Sequence, residues 1–540
     1  MSELVGTGRL ARLALRRDRI GLPVWVLLAI SLAAGPAGSI ADAYAAVEKQ
    51  REYAEGVGSN PAAAVFSGPS IGVEHLGGIV VKESAVWVLL LVAITSIMLV
   101  IRYTRTEEES GRAELVTAAA VGRHARLAAA LLVVGVADLL IGLGIAAGLM
   151  GAGLSGAGSL AYGLGVTMVG WVFAAVAAVT AQLVEAARTA NGIALAVFGG
   201  TFLLRGIADS ASVANDGTGA ARQLAWLSPT GWFYQLRPYA GERWWVLGLA
   251  VVTGAVLTGA AVALSRRRDI GAGLLAARLG PAAARPGLAT PLALAWRLQR
   301  GGLIAWTAGV AVGAAVLGSL AHDITDMVGN NDTAAKAIRQ LGGADVLVDS
   351  YLVWVLRILG LAAAAYAVSA VLRLRSEESG LRAEPVLAAA VTRTRYALSH
   401  VLVAAVGVVV LLLTAGLVVG LVHGARSGDV GGELPRILGA ALVQLPAALL
   451  PAALAAALFG LLPGATLVAW LFVGAILLIA QLGPVLELNQ WVMDVSPFTH
   501  LPRLPGGDVT AMPLVWLGAL VLLLGAAGLA TFRRRDLDTA

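Results

Sequence analysis

Arg105-Thr106-Glu107-Glu108, followed by Arg112-Ala113-Glu114, returns 270 positions later as Arg375-Ser376-Glu377-Glu378 and Arg382-Ala383-Glu384, without a gap. The match continues through Val116/Val386, the alanine triplets at 118–120 and 388–390, Val121/Val391 and Arg123/Arg393. That makes 12 identities across the 19 positions 105–123. Each copy lies between long apolar runs. The chain therefore reads as a duplicated membrane protein that has kept one charged surface loop in each half.

Composition points the same way. Hydrophobic residues make up 58% of the 540 and charged residues 13%. Mean hydropathy is +0.81, outside the range of an apolar core wrapped in a solvated shell. With no cysteine, disulfides, thiolate metal sites and thiol nucleophiles are excluded. The basic surplus of six belongs at cytosolic loop ends rather than on nucleic acid.

A window of roughly 20 apolar residues places spans near 20–40, 84–103, 127–150, 160–183, 191–208 and 244–264. The order repeats near 301–321, 350–372, 397–422, 434–459, 465–483 and 511–532. The expected fold is all-α and polytopic: 12 transmembrane helices in two parallel six-helix repeats. An interfacial helix should precede each half. Arg9, Arg12, Arg16, Arg17 and Arg19 alternate with Leu4, Leu10, Leu13 and Leu15 in a basic amphipathic pattern. Arg16, Arg19 and Trp25 recur as Arg297, Arg300 and Trp306, so the first apolar run reads as a retained span. Ala41-Asp42-Ala43 is then not a signal-peptidase site. The halves should cover 1–269 and 292–540, joined by a Pro/Gly-containing linker at 270–291.

Arginines near the N-terminus, at 102–126, 266–268, 373–395 and 533–535 all fall on one side under this count. That side, with both termini, is assigned to the cytosol of a bacterial cytoplasmic membrane. Both halves close on Arg-Arg-Arg-Asp, at 266–269 and 533–536. On the outer side, 41–83 and 322–349 should form short surface helices. Segments 209–243 and 484–510 carry Ser228-Pro229 and Ser496-Pro497, which suit helix starts. Trp226, Trp232, Phe233, Tyr234, Tyr239, Trp244 and Trp245 crowd the first of these. They read either as a headgroup-level belt or as a small outer cap closing a pathway.

Some chemistry is absent. None of the three lysines follows a glycine, so there is no phosphate-binding P-loop. The six histidines are scattered singly, without metal-ligand spacing. The charged loop is the remaining signal. Positive-inside bias explains its arginines but not Glu107-Glu108-Glu109, because carboxylates contribute little to topology. Thr106 and Glu109 have capping-box spacing, which predicts a short cytosolic helix running toward Arg123. A plain solvated connector needs no repeated arrangement of Glu and Arg.

Two six-span halves, an interfacial helix before each, Glu-Glu-x-x-x-Arg-Ala-Glu after each second span and a polar outer segment before each sixth resemble ABC-2-type exporter permeases. Among these the chain is most similar to the fused, double-length permeases of actinobacterial polyketide-antibiotic and multidrug exporters, the tetronasin-resistance type. The resemblance spans the whole chain, and its specific part is the pair of charged loops. It implies a transport subunit that is not itself an enzyme and binds no cofactor. Two copies of a separate ATPase, which carry ATP and Mg, would dock on the cytosolic face. It also implies that coupling helices are carried by Glu107, Glu108, Glu109, Arg112 and Glu114, and by Glu377, Glu378, Arg382 and Glu384. Pro385 replaces Leu115, and Ser379-Gly380-Leu381 replaces Glu109-Ser110-Gly111, so unequal docking contacts are expected. The family's second and fifth spans usually line the path, which nominates Trp87, Thr95, Phe198, Phe202, Trp354, Trp470, Phe472 and Gln481 as substrate contacts. Such a path suits hydrophobic or amphipathic compounds of the antibiotic and drug kind.

A proton-driven transporter of the major-facilitator kind also has two parallel six-span halves. Its loop after the second span is Gly-rich with an Asp-Arg-x-Gly-Arg-Arg character, which 106–116 lacks. A membrane enzyme needs a carboxylate or histidine cluster at one face, and the only acidic clusters are the repeated loops. Asp138, Arg205 and Arg357 are the clearest intramembrane ionisable residues. The two arginines are expected to snorkel outward, and Asp138 to pair with a neighbouring helix or carry a proton.

Overall fold

The computed structural model describes residues 3–58, 64, 67–112, 121–214, 220–269, 271–275, 283, 288, 290–329, 344–482 and 489–536. Side chains at 56–58, 213–214, 220–222, 320, 322–329, 344–345 and 481–482 lie outside that description. Among the described residues the secondary structure is helical, with no strand. Twelve helices are long and apolar enough to cross a bilayer, so this is a multi-pass, all-α membrane protein. The chain divides into two compact units, Met1–Gly280 and Pro281–Ala540.

In the first unit an amphipathic helix, Thr7–Arg17, precedes spans 1 to 6: Gly21–Ala43, Leu76–Glu109, Ala125–Gly151, Gly156–Leu183, Ala187–Ser212 and Val246–Ser265. Span 4 is the most enclosed, with 78% of its apolar window buried, and spans 2, 3, 5 and 6 pack around it. Spans 3 and 4 approach closely at Gly142 and Gly163. A Cβ on Gly142 would lie 2.4 Å from the Gly163 carbonyl oxygen, and one on Gly163 2.0 Å from that of Gly142. Only glycine allows two backbones this close.

Spans 7 to 12 of the second unit are Pro291–Ser319, Val346–Ser379, Arg393–Ser427, Val430–Leu461, Pro463–Ala480 and Ala511–Arg534. Here the expected separate interfacial helix is missing. Pro291–Gly329 is one unbroken helix, whereas a turn separates Thr7–Arg17 from the helix Gly21–Ala34. The reason is Pro23, which has no amide to donate to residue 19 and would clash with its carbonyl. Ile304 stands at the equivalent position, 281 residues on, and lets the helix run through. Span 10 is broken at Val443-Gln444, between Val430–Leu442 and Leu445–Leu461, because Pro446 removes the bond to the Leu442 carbonyl.

The segments before the sixth span of each half differ. Ser228 caps the helix Pro229–Leu236, its hydroxyl accepting from the Gly231 amide at 3.4 Å, and all eight helix residues are buried. Trp232 donates to the Trp226 carbonyl at 2.6 Å and Tyr234 to that of Ser67 at 3.0 Å. These aromatics form a protein-facing cap, and only Trp244 and Trp245 are left exposed. Ser496-Pro497 instead opens a four-residue 3-10 turn, Pro497–His500, with no side-chain cap.

Gly142→Leu should overpack the span 3/span 4 crossing and destabilise the first unit by about 1–3 kcal/mol, read as a lower Tm in detergent. Gly254→Ala, where a Cβ meets nothing within 4 Å, should leave Tm unchanged.

Candidate functional site

Span 2 does not stop at a new helix start. Its α-helix runs to Ile101, widens into a π-turn at Arg102–Thr106 and continues as Glu107–Glu109. Thr106 is already helical and makes no side-chain cap, so the helix start expected there is corrected to a continuation of the span. The π-turn keeps Tyr103, Thr104 and Arg105 buried; such wide turns recur at functional sites.

Consecutive helical residues project about 100° apart, so three adjacent carboxylates reach three neighbours. Glu107 accepts from Arg17 of the amphipathic helix, with Arg112 at 3.8 Å. Glu108 takes a bidentate pair from Arg268, at 2.8 and 2.9 Å. It also pairs with Arg105 and has Arg126 at 3.6 Å. Glu109 accepts from the Ala187 amide at 3.1 Å, the first residue of span 5, where a carboxylate satisfies an orphan donor and faces the positive end of the helix. Three glutamates thus fasten span 2 to the amphipathic helix and to spans 3, 5 and 6.

The surroundings complete this hub. Arg268 also donates to Gln182 at the end of span 4 at 2.8 Å. Arg123 donates to the carbonyls of Ser265, Arg266 and Arg268 at 3.0–3.2 Å, capping the end of span 6. The Arg266 guanidinium beside Glu3 holds that carboxyl below its ordinary range. Residues after span 6 turn back over span 4: the Leu274 and Leu275 amides bond the Gln182 and Leu183 carbonyls at 3.2 and 2.8 Å. Both Arg105 and Arg268 donate to the Ala272 carbonyl.

The second half repeats the core of this arrangement. Span 8 is interrupted at Leu372, 270 residues after Arg102, before Arg373–Ser379. Both carboxylate oxygens of Glu378 accept from Arg535 Nη2, at 2.8 and 2.7 Å. Arg393 donates to the Arg535 carbonyl, as Arg123 does at span 6. Glu377 pairs with Arg373 at 2.6 Å and Arg382 at 2.8 Å. The Arg535 guanidinium lies over Phe459 and Phe532, 5.2 and 5.5 Å from their centroids, a cation–π arrangement. Ser379 stands where Glu109 caps span 5, and the loop then breaks at Leu381, φ 56°, into the short helix Ala383–Leu387.

The third arginine of each repeated Arg-Arg-Arg-Asp therefore clasps the second glutamate of each repeated loop. Glu108 and Glu378 have side chains only 6% and 4% exposed, and Glu377 is buried too. They face protein arginines rather than water. Glu109, Arg112, Arg382 and Glu384 are the exposed members, and Glu114 lies outside the described residues. Sequence reasoning missed Arg268, Arg535, Arg105, Arg126 and Arg17. Its signal was available in the tetrapeptide that ends both halves.

Residues 288–533 match the family model described as the C-terminal domain of multidrug efflux system permease Rv1217c. The chain is also 43% identical over 536 residues to the multidrug efflux system permease protein Rv1217c of Mycobacterium tuberculosis, covering 99% of this chain and 96% of that one. The chain belongs to the multidrug efflux permease family.

Within each unit of the permease the nominated path residues have different surroundings. Phe198 of span 5 meets Phe173 of span 4 edge-on, their centroids 5.0 Å apart, and Phe202 packs on Phe198 at 6.0 Å. The Thr95 hydroxyl is turned back onto the Leu91 carbonyl at 2.8 Å. Trp87, Trp354 and Trp470 are exposed on their units, Phe472 is half-buried, and the Gln481 side chain lies outside the described residues. Arg205 does not snorkel: it is fully buried, pairs with Asp209 at 3.1 Å and stacks over Phe202 and Tyr234.

Breaking one partner of a buried ion pair costs about 3–5 kcal/mol. Arg268→Ala should fall near the lower figure. Glu108→Gln should cost more, because Arg105 and Arg126 lose their counter-charge as well. Tm ranks the two, and amide exchange at 271–275 should accelerate in both.

Proposed function

We propose that this permease is the membrane subunit of an ABC-2-type exporter of the tetronasin-resistance kind, exporting hydrophobic or amphipathic drug-like compounds and so conferring antibiotic resistance. Two copies of a separate ABC ATPase, carrying ATP and Mg, bind its arginine-rich face, which is the cytosolic one. The observation that carries this reading is the duplicated clasp. A load applied at either loop passes through one buried glutamate to the far end of its half. The glutamates transmit, while Arg112, Arg382 and Glu384 make contact. This refines the role of Glu108 and Glu378 from docking residues to transmission residues. ATP draws the ATPases together, the loops move, and the halves rock about the path as a population shift. The unequal loops, with Glu109 answered by Ser379, make the two couplings unequal.

A second reading, proton-driven export, has one observation in its favour. Asp138 in span 3 is 3% exposed and bonds Ser96 at 2.9 Å through one oxygen, while its other oxygen meets no donor among the described residues. Buried carboxyls of this kind carry protons in some transporters.

Proteoliposomes separate the two. With the partner ATPase, wild-type permease should support drug-stimulated ATP hydrolysis. Arg112→Glu with Glu384→Arg should lower it at least about tenfold, roughly 1.4 kcal/mol of coupling, with Tm unchanged. Drug transport driven by a pH gradient alone, and lost in Asp138→Asn, would replace the ABC reading with the proton-driven one.

A further inference from the structure

Between the amphipathic helix and the ends of spans 2 and 3 lies a small cavity of roughly 70 Å³ that opens to the surface. Its floor and walls are mainly apolar, with Leu10 and Leu13 on one side, and three guanidiniums, Arg17, Arg112 and Arg126, meet it together with Glu107. The charge does not balance. Glu107 answers Arg17 and, weakly, Arg112. Arg126 shares Glu108 with Arg105 and Arg268, and its buried Nη1 has no hydrogen-bond partner among the described residues. Among the described residues five guanidiniums share two carboxylates here, with Glu185 a further counter-charge to Arg105. An excess of this size at a partly buried site calls for an external anion.

The apolar side narrows the choice of anion. Leu13 lines the cavity yet is 57% exposed, with Leu4 and Leu15 of the same segment also exposed. A basic helix with uncovered leucines lies in the headgroup layer, so the cavity is continuous with the acyl region at Leu13. A small hydrophilic anion would leave that wall wet, whereas a phospholipid covers the leucines and brings a phosphate to the arginines.

We infer that this cavity is a binding site for one anionic phospholipid, its phosphate held by Arg17, Arg112 and Arg126 and an acyl chain lying along Leu10 and Leu13. The site belongs to the first half alone. Leu298 stands for Arg17 at an offset of 281, and Tyr396 for Arg126 at 270. One lipid per chain follows. Because Arg17 binds Glu107 on the hub, the lipid seats the amphipathic helix against span 2. The inference holds whether the coupled energy source is ATP or a proton gradient.

The test titrates detergent-purified permease with phosphatidylglycerol or phosphatidylcholine and counts bound lipid by native mass spectrometry. Wild type should retain one phosphatidylglycerol in preference to phosphatidylcholine. Arg17→Gln with Arg112→Gln should weaken that binding about 5- to 30-fold, taking roughly 1 kcal/mol for each arginine at an anionic surface. Arg9→Gln with Arg12→Gln removes equal charge from the same helix outside the cavity and should change binding less than about twofold. Should the double variant aggregate, Arg112→Gln alone gives the same reading, because its side chain is 59% exposed and contacts Glu107 only at 3.8 Å. Equal weakening in both double variants would reduce the effect to general surface charge. Equal retention of the two lipids would remove the phosphate role, and displacement by millimolar inorganic phosphate would make this a free-anion site. Each of these results overturns the inference.

Discussion

A single ion pair, made once in each half, sets the geometry of the arginine-rich end. A carboxylate at the close of the second span of the half meets a guanidinium just past its sixth, nearly sealed from solvent on both sides. In water such a pair contributes little. Under a lid of packed helix ends its attraction is less screened, and each partner left alone would carry a large desolvation cost. The two elements are thereby locked in register although they are more than 150 residues apart in sequence. The caps at Arg123 and Arg393, the turn irregularities at 102–106 and Leu372, and the fold-back of 271–275 all converge on it.

The fold class was open in the sequence because hydropathy and length report directly on bilayer crossing. The twelve expected segments correspond to the twelve spans, and ends differ mostly where helices run on past the apolar core, as span 2 does to Glu109. What hydropathy does not encode is local hydrogen bonding. The fusion of interfacial piece and span in Pro291–Gly329 turns on one missing proline, and the break at Val443-Gln444 on one present. The candidate site was half legible. Repetition singled out the glutamates that the clasp uses, but a charged run between apolar runs reads as water-facing until its partners are known. Those partners came from a second repeated motif whose pairing is a matter of three-dimensional proximity. Arg205 followed the same pattern: the sequence gives its depth but not the Tyr234 helix that covers it.

Duplication has been followed by divergence at every periphery of the hub. The first half holds span 5 through Glu109, carries a separate amphipathic helix and builds a buried aromatic cap. The second drops the carboxylate, fuses the helix and reduces the cap to a 3-10 turn. The central pair, the arginine over its carbonyl and the pairing of Glu107 with Arg112, repeated as Glu377 with Arg382, recur in both halves.

The fold-back at 271–275 ties the turn after span 6 to the same glutamate. Arg105 and Arg268, which grip the Ala272 carbonyl, both pair with Glu108. Those five residues, about 16 Å of chain if extended, therefore stay folded on the end of span 4 only while that one carboxylate holds its two arginines in place.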